Sequence, residues 1–371
     1  MVPVSPSWSP DDRLLGFLHA DEEGTRQLYT LDAATQAVKL VVDPGDGGDT
    51  EANLSLEEKL RRERQRSMAV GVTSFAWGTS DTLPDASRSV VLPLRGSALG
   101  CAVDGGAAVS PIVVVAKEAS GAAGSVLDAK LSPDGRFVAF VQDGELYAVR
   151  AGGSADGAAP RQLTVGARGN DQTNGLADFI AQEEMDRYTG FWWSEDSAFL
   201  AFQRTDDRAI PPYKIVHQGT QDVIVEEHRY PFAGAANPQV SLGVVALPTS
   251  LLDASESGSA GGKGKKSSSA RGTALPTDVL WLDLHCADDA AATVDPTEPT
   301  DPTQATPFAY EYLARVHWMR DGGLAVELQS RDQCTLRLVR YDVRSAMQRR
   351  ALGLGVEAVE IGGGGFQPLL E

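Results

Sequence analysis

Two adjacent carboxylates, Glu183 and Glu184, stand in the run N-G-L-A-D-F-I-A-Q-E-E-M-D-R-Y-T-G-F-W-W at residues 174–193. Neighbouring carboxylates repel, so together they make a seat for a cation. The run reads as a short helix opened by Asn174 as its N-cap. Leu176, Phe179 and Ile180 share one face, and at about 100° per residue Glu183 lands near the middle of that face, with Glu184 at its edge. A charge at such a place is either paired internally or kept for a ligand, because burying it unpaired is costly. Arg187 follows Glu183 at helical spacing and is placed to satisfy it. Spacing alone favours this structural ion pair over a ligand-binding acidic pair, and leaves both open.

Other chemistry is sparse. The sequence has no G-x-S-x-G nucleophile elbow, no H-E-x-x-H, no Walker motif and no G-x-G-x-x-G between strand and helix. The histidines His19, His217, His228, His285 and His317 are scattered, and the neighbours His285 and Cys286 lack metal-site spacing. Neither metal nor cofactor is expected. Glu226-Glu227-His228-Arg229 suggests acid–base work, but its place before Tyr230-Pro231 reads better as a strand ending at a turn.

Composition narrows the partners. The chain has 371 residues, 42% hydrophobic, and a net charge of −18. That charge argues against nucleic acid and anionic membrane surfaces, which require basic patches. Cys101, Cys286 and Cys334 are far apart and give no disulfide framework. With no basic n-region, no apolar h-region and no long apolar run, a cytoplasmic location is expected.

The elements around the acidic pair recur. Trp8-Ser9-Pro10-Asp11-Asp12 precedes Leu14-Leu15-Gly16-Phe17-Leu18, and Leu131-Ser132-Pro133-Asp134-Gly135 precedes Phe137-Val138-Ala139-Phe140-Val141. Phe75-Ala76-Trp77-Gly78, Trp193-Ser194-Glu195-Asp196 and Val316-His317-Trp318 open similar units. Each is an apolar or aromatic residue, a polar turn, then a strand. Ser-Pro-Asp-Gly supplies the turn, with Pro pre-setting φ and Gly tolerating positive φ. Units start at 8, 77, 131, 193 and 318, and the last gap suits two of them, with strands near Ile215-Val216, Val223 to Val225 and Val240 to Leu247. Such repeats of several short strands indicate an all-β chain folded as a β-propeller, with a β-sandwich as the competitor.

Short helical and low-complexity insertions interrupt the repeat. Ser55-Leu56-Glu57-Glu58 is a capping box that leads a charged helix through Lys59, Arg61, Arg62, Arg64 and Arg66, read as solvated. Residues 253–274 and 288–307 read as disordered insertions, with a strand at 279–284 between them. The propeller is expected over 1–350, with five to six blades visible, and an irregular tail over 351–371. The visible units are too few to close a ring, which suggests truncation.

The run at 174–193 resembles the N-terminal propeller of dipeptidyl peptidase IV-type serine exopeptidases, cytosolic or bacterial members above all. The resemblance lies in E-E-[MF]-D-R-[YH]-[ST]-G-[YF]-W-W, here Glu183-Glu184-Met185-Asp186-Arg187-Tyr188 and Gly190-Phe191-Trp192-Trp193. It continues in Tyr230-Pro231, Gly234, Ala236-Asn237-Pro238 and Val240, and more weakly in the charged helix, in Gly71-Val72-Thr73-Ser74 and around Trp318. It implies an eight-bladed propeller that works with a C-terminal α/β-hydrolase domain. It further implies that Glu183 and Glu184 bind the free α-amino group of a peptide substrate, and that Arg95 is the nearest candidate for an arginine contacting substrate carbonyls. Such proteins release N-terminal dipeptides and commonly form homodimers. The hydrolase domain and its triad are expected to be missing from this chain, leaving it without peptidase activity by itself. The alternative is a stand-alone β-propeller interaction module. With the resemblance added, the amine-anchoring role outweighs the structural pair.

Overall fold

A computed structural model describes residues 2–45, 56–64, 70–77, 89–94, 96–103, 112–115, 125–151, 160–217, 224–248, 251, 279–284 and 310–352. Arg95, the expected insertions at 253–274 and 288–307, Ser55 of the capping box and residues 353–371 of the expected tail lie outside them. The described chain is all-β with a few short helices, and neighbouring strands pair almost entirely antiparallel. It divides into two compact units.

The first unit holds residues 1–165, 196–200 and 245–278. Its first sheet is a meander of β1 (Val4–Trp8), β2 (Leu14–Ala20), β3 (Thr25–Asp32) and β4 (Val38–Val42). After α1 (Leu56–Arg64), β5 (Val70–Gly71) joins β3 in parallel. Gly71 has φ +87°, and a Cβ there would strike the Arg26 carbonyl, so this junction needs glycine. The second sheet is β6 (Ala76–Trp77), β7 (Ser89–Leu94), β8 (Ser97–Ala102) and β9 (Ile112–Val115). The third is β10 (Leu127–Leu131), β11 (Phe137–Gln142), β12 (Glu145–Arg150) and β13 (Arg161–Gln162).

These sheets stack through apolar faces. Leu18 and Leu28 pack with Val90 and Leu92 between the first and second sheets. Val91 and Ala98 pack with Val138 and Phe140 between the second and third. Every residue of β11 is buried, as its unbroken apolar run F-V-A-F-V demands of a strand covered on both faces.

The recurring turn has a physical basis. Ser9 Oγ donates to Asp11 Oδ1 at 2.7 Å and accepts from the Leu14 N–H at 2.9 Å. Ser132 repeats this with Asp134 at 2.6 Å and Phe137 N–H at 3.0 Å. Serine and aspartate thus close the loop with short-range bonds. The strands that enter these turns share a bulge: register slips between Val4 and Ser7 in β1 and between Leu127 and Lys130 in β10, with positive φ at Ser5 and Asp128.

The basic helix α1 departs from the solvated reading. Arg62 is buried and meets Glu58 at 3.1 Å, while Arg61 reaches Asp128 at 3.1 Å. Glu58 pairs with Arg62 within the helix, and Asp128 of β10 ties Arg61 to the third sheet, so charge here docks the helix rather than solvating it.

The second unit holds residues 166–195, 201–244 and 279–371. Its elements begin with β14 (Gln172–Asn174), α2 (Phe179–Glu184), β15 (Phe191–Trp193) and β16 (Phe199–Asp206). A two-stranded hairpin, β17 (Pro212–His217) and β18 (Ile224–Arg229), precedes β19 (Gln239–Ala246) and β20 (Leu280–Leu282). The order β14-β16-β19-β20 makes one sheet, to which β15 adds through β16. The gap expected to hold two repeat units therefore completes a sheet begun before it, with the hairpin as an excursion. As expected, Glu226 to Arg229 close a strand before a turn. The last sheet is β21 (Tyr312–Trp318), β22 (Leu324–Gln329) and β23 (Leu336–Tyr341), and its outer turn repeats the serine–aspartate closure at Ser330 and Asp332. A helix α3 (Val343–Ala351) follows, N-capped by Asp342 and burying Val343 and Ala346, where the propeller had been expected to give way to an irregular tail.

Candidate functional site

The helix carrying the acidic pair is short and begins later than its sequence suggests. Asn174 does not cap it. Asn174 is a fully buried residue of β14 whose Oδ1 accepts from Arg204 Nε at 2.8 Å. Gly175 follows at φ +91°, Leu176 bridges to Thr189, and the cap is Asp178. Asp178 Oδ1 accepts from the Ala181 N–H at 3.0 Å, which fixes where the first turn starts.

Leu176 thus lies outside the helix, and the apolar stripe expected through it loses that member. The residues the helix buries are Ala181 and Gln182, and both Glu183 and Glu184 are exposed. Glu183 therefore does not interrupt an apolar face. At the far end Asp186 takes φ +49°, a left-handed conformation that aspartate tolerates, and the Arg187 N–H closes back on the Ala181 carbonyl at 3.0 Å.

Arg187 does not meet Glu183 either. It turns inward and is 5% exposed. Its Nε donates to the Leu313 carbonyl of β21 at 3.1 Å, its Nη1 to the Thr189 carbonyl at 2.8 Å, and its Nη2 lies 3.4 Å from Asp178 Oδ2. The Trp192 ring sits 5.9 Å from its guanidinium carbon. Burial pushes the Arg187 pKa down to about 10, opposed by Asp178 and assisted by Arg315. That leaves it charged at neutral pH. Asp178 Oδ2 also accepts from Gln203 Nε2 at 2.9 Å, and Gln182 Nε2 donates to the Ala177 carbonyl at 2.6 Å.

The result is a helix bolted on one side and bare on the other. Asp178, Arg187, Gln203 and Gln182 hold it from behind. Trp318 Nε1 donates to the Trp192 carbonyl at 3.0 Å, tying the following strand to β21 as well. Gly190 makes the close approach possible, since a Cβ there would collide with the Leu176 backbone. On the open side, Glu183 and Glu184 have no hydrogen-bond or ion-pair partner among the described residues. Two fixed, uncompensated carboxylates can hold an ammonium by charge-assisted hydrogen bonds. Among the described residues no group of three His, Cys, Asp or Glu side chains is placed to hold a metal ion, and no helix is long and apolar enough to cross a membrane.

Of the residues singled out by sequence, Glu183 and Glu184 are both exposed at the end of α2, whereas Arg95 lies outside the described residues. The supports at Asp178 and Gln203 went unread. Asp178 carried a signal, as an N-cap type just before F-I-A-Q. Gln203 carried none, because only the fold brings it to the helix.

The chain is similar to known proteins over part of its length. Residues 110–265 match the family described as dipeptidyl peptidase IV (DPP IV) N-terminal region. A probable dipeptidyl-aminopeptidase B of Pyrenophora teres f. teres is 32% identical over 132 residues, covering 32% of this chain and 14% of that protein. Dipeptidyl peptidase 4 of Felis catus is 30% identical over 118 residues, covering 31% of this chain and 15% of that protein. The crystal structure of Porphyromonas gingivalis dipeptidyl peptidase 4 aligns with a TM-score of 0.50 at 18% identity, over 92% of this chain and 38% of that one. The chain thus matches a minor part of each relative's length.

Proposed function

We propose that this chain, residues 110–265 of which match the dipeptidyl peptidase IV N-terminal region, anchors the free α-amino group of a peptide for a serine exopeptidase that releases N-terminal dipeptides. Glu183 and Glu184 take the ammonium. Bond cleavage is assigned to the catalytic serine of that exopeptidase, and no residue described above is given that role. A propeller that fixes the amino terminus sets how far along the peptide the scissile bond lies.

The observation that supports this reading is the pair of exposed carboxylates on a helix held rigidly from behind, with no cation of the described chain beside them. Rigidity matters because a preorganised site loses little entropy on binding. The test is calorimetric titration of the full chain with one peptide in two forms, free and N-acetylated. The free form binds and the acetylated form does not, and Glu183→Gln or Glu184→Gln removes the difference. Equal binding of both forms would refute the anchoring role. Binding of a protein partner that ignores both glutamates would favour an interaction module instead.

A further inference from the structure

Within the second unit, a cleft of about 220 Å³ lies between α2 and the chain that leads into β19. Ile180, Ala181 and Met185 line it from the helix, and Asn237, Pro238 and Val240 line it from the other side. Met185 follows Glu184 directly and is the C-cap of α2. The place of the opposite wall therefore bears on where the glutamate end of the helix comes to rest.

That wall has its own anchorage. The chain turns at Gly234, φ +82°, where the Ala235 N–H donates to the Phe232 carbonyl at 2.9 Å. Beyond the turn, Asn237 Nδ2 donates to Glu311 Oε2 at 2.6 Å and to the Tyr312 hydroxyl oxygen at 3.3 Å. The same Glu311 oxygen lies 3.4 Å from Arg331 Nη1, and Arg331 Nη2 donates to the Ala235 carbonyl at 2.6 Å. Asn237, Glu311, Arg331 and Ala235 thus close a ring, in which the Glu311 side chain is only 13% exposed. An amide suits this place because its nitrogen carries two hydrogens, one for each acceptor, and the bond to a carboxylate is charge-assisted. Aspartate has the same size, but it has no hydrogen to give when ionised and would set a second negative charge beside Glu311.

We propose that Asn237 is a positioning residue of the anchoring site. By tying residues 235–238 to the start of β21 it fixes the wall that faces α2, and through the helix it fixes Glu183 and Glu184. Asn237 itself touches no ligand. This rests on the amine-anchoring reading above and adds a second support to it. Asp178 caps the start of the helix and the Arg187 N–H closes back beyond its end, while the wall carried by Asn237 faces the turn between them. A site held on both sides loses less entropy when it takes a cation.

The experiment uses the full chain, Asn237→Asp and the double variant Asn237→Asp/Glu311→Gln. Three quantities are read: the affinities of a free and an N-acetylated peptide by calorimetry, amide hydrogen exchange across residues 179–187 by mass spectrometry, and the urea midpoint. Asn237→Asp weakens binding of the free peptide about tenfold or more, the scale of one charge-assisted hydrogen bond, and speeds exchange across α2. The double variant reverses the polarity of the pair, an amide at 311 now donating to a carboxylate at 237, and recovers most of both losses. A merely structural residue would lower the urea midpoint and leave the free-to-acetylated affinity ratio and the exchange of the folded chain as in wild type; that result overturns the proposal. A double variant no better than Asn237→Asp also overturns it. If the wild-type chain binds both peptides equally, the anchoring reading fails and takes this one with it. If wild type discriminates and Asn237→Asp discriminates as well, only this proposal fails.

Discussion

Replacing Arg187 with methionine tests the account of how the acidic pair is held. The guanidinium group donates to the Leu313 and Thr189 carbonyls and lies 3.4 Å from Asp178 Oδ2. Hydrogen bonds involving a charged group contribute about 1.5–3 kcal/mol each, so the two carbonyl bonds are worth about 3–6 kcal/mol. Against this stands the cost of burying the cation. A pKa lowered from 12.5 to about 10 corresponds to roughly 3 kcal/mol against the charged form. Methionine removes both terms, which cancel at the lower end of that range. What remains is Asp178, 8% exposed, without its cation. Removing one partner of a buried pair costs about 3–5 kcal/mol. Arg187→Met should therefore lower unfolding stability by about 3 kcal/mol, measured by urea denaturation followed through tryptophan fluorescence. Asp178→Asn in the same chain should recover part of it, so the double variant loses at least about 1 kcal/mol less than the sum of the singles. A single variant within about 1 kcal/mol of wild type, or an additive cycle, would refute the claim that this contact fixes the helix.

Glu183→Gln should leave stability within about 0.5 kcal/mol of wild type, as for exposed substitutions generally, while abolishing selectivity for a free amino terminus in the calorimetric comparison. Gly190→Ala should destabilise by about 1–3 kcal/mol or more, because its Cβ would collide with the Leu176 backbone; chemical denaturation reads this directly. Asp206 has its pKa lowered to about 2, chiefly by the Arg208 side-chain hydrogen bond. A lowered carboxylate pKa adds stability that is present above the unfolded value of 3.8 and lost as pH falls towards 2. The gap between wild type and Arg208→Ala in urea midpoint should accordingly narrow from pH 4 to pH 2, and a constant gap would count against the pair.

Local chemistry made much of the fold readable. Ser9 and Ser132 close their turns with partners only two and five residues away, so S-P-D announces the hairpin in the sequence itself. β11 was readable from its unbroken apolar run. The start of the helix was not, because two residues compete for the cap. Asn174 looks the part, but Arg204 on β16 claims its side chain, and Asp178 wins at the next opportunity. With Leu176 left outside the helix, the face turned inward is that of Ala181 and Gln182, and Glu183 is exposed. The pairing of Arg187 was misread for the same reason: the helical spacing to Glu183 exists, but Leu313 and Asp178 offer a buried guanidinium more acceptors than an exposed glutamate does. α3 was readable in principle from Asp342 as N-cap with Val343 and Ala346 on one face.

The two ties from the α2 region to β21 also set an order of events during synthesis. Arg187 Nε reaches the Leu313 carbonyl and Trp318 Nε1 reaches the Trp192 carbonyl, each across a sequence separation of 126. At about 5–20 residues per second, the partner strand leaves the ribosome on the order of 6–25 s after the glutamates do. The serine–aspartate hairpins of the first unit need no such wait, since all their closing bonds are local. On a nascent chain the acidic pair is therefore present long before it is rigid. The surface proposed to read an amino terminus takes its fixed form only after the scaffold around it has been built.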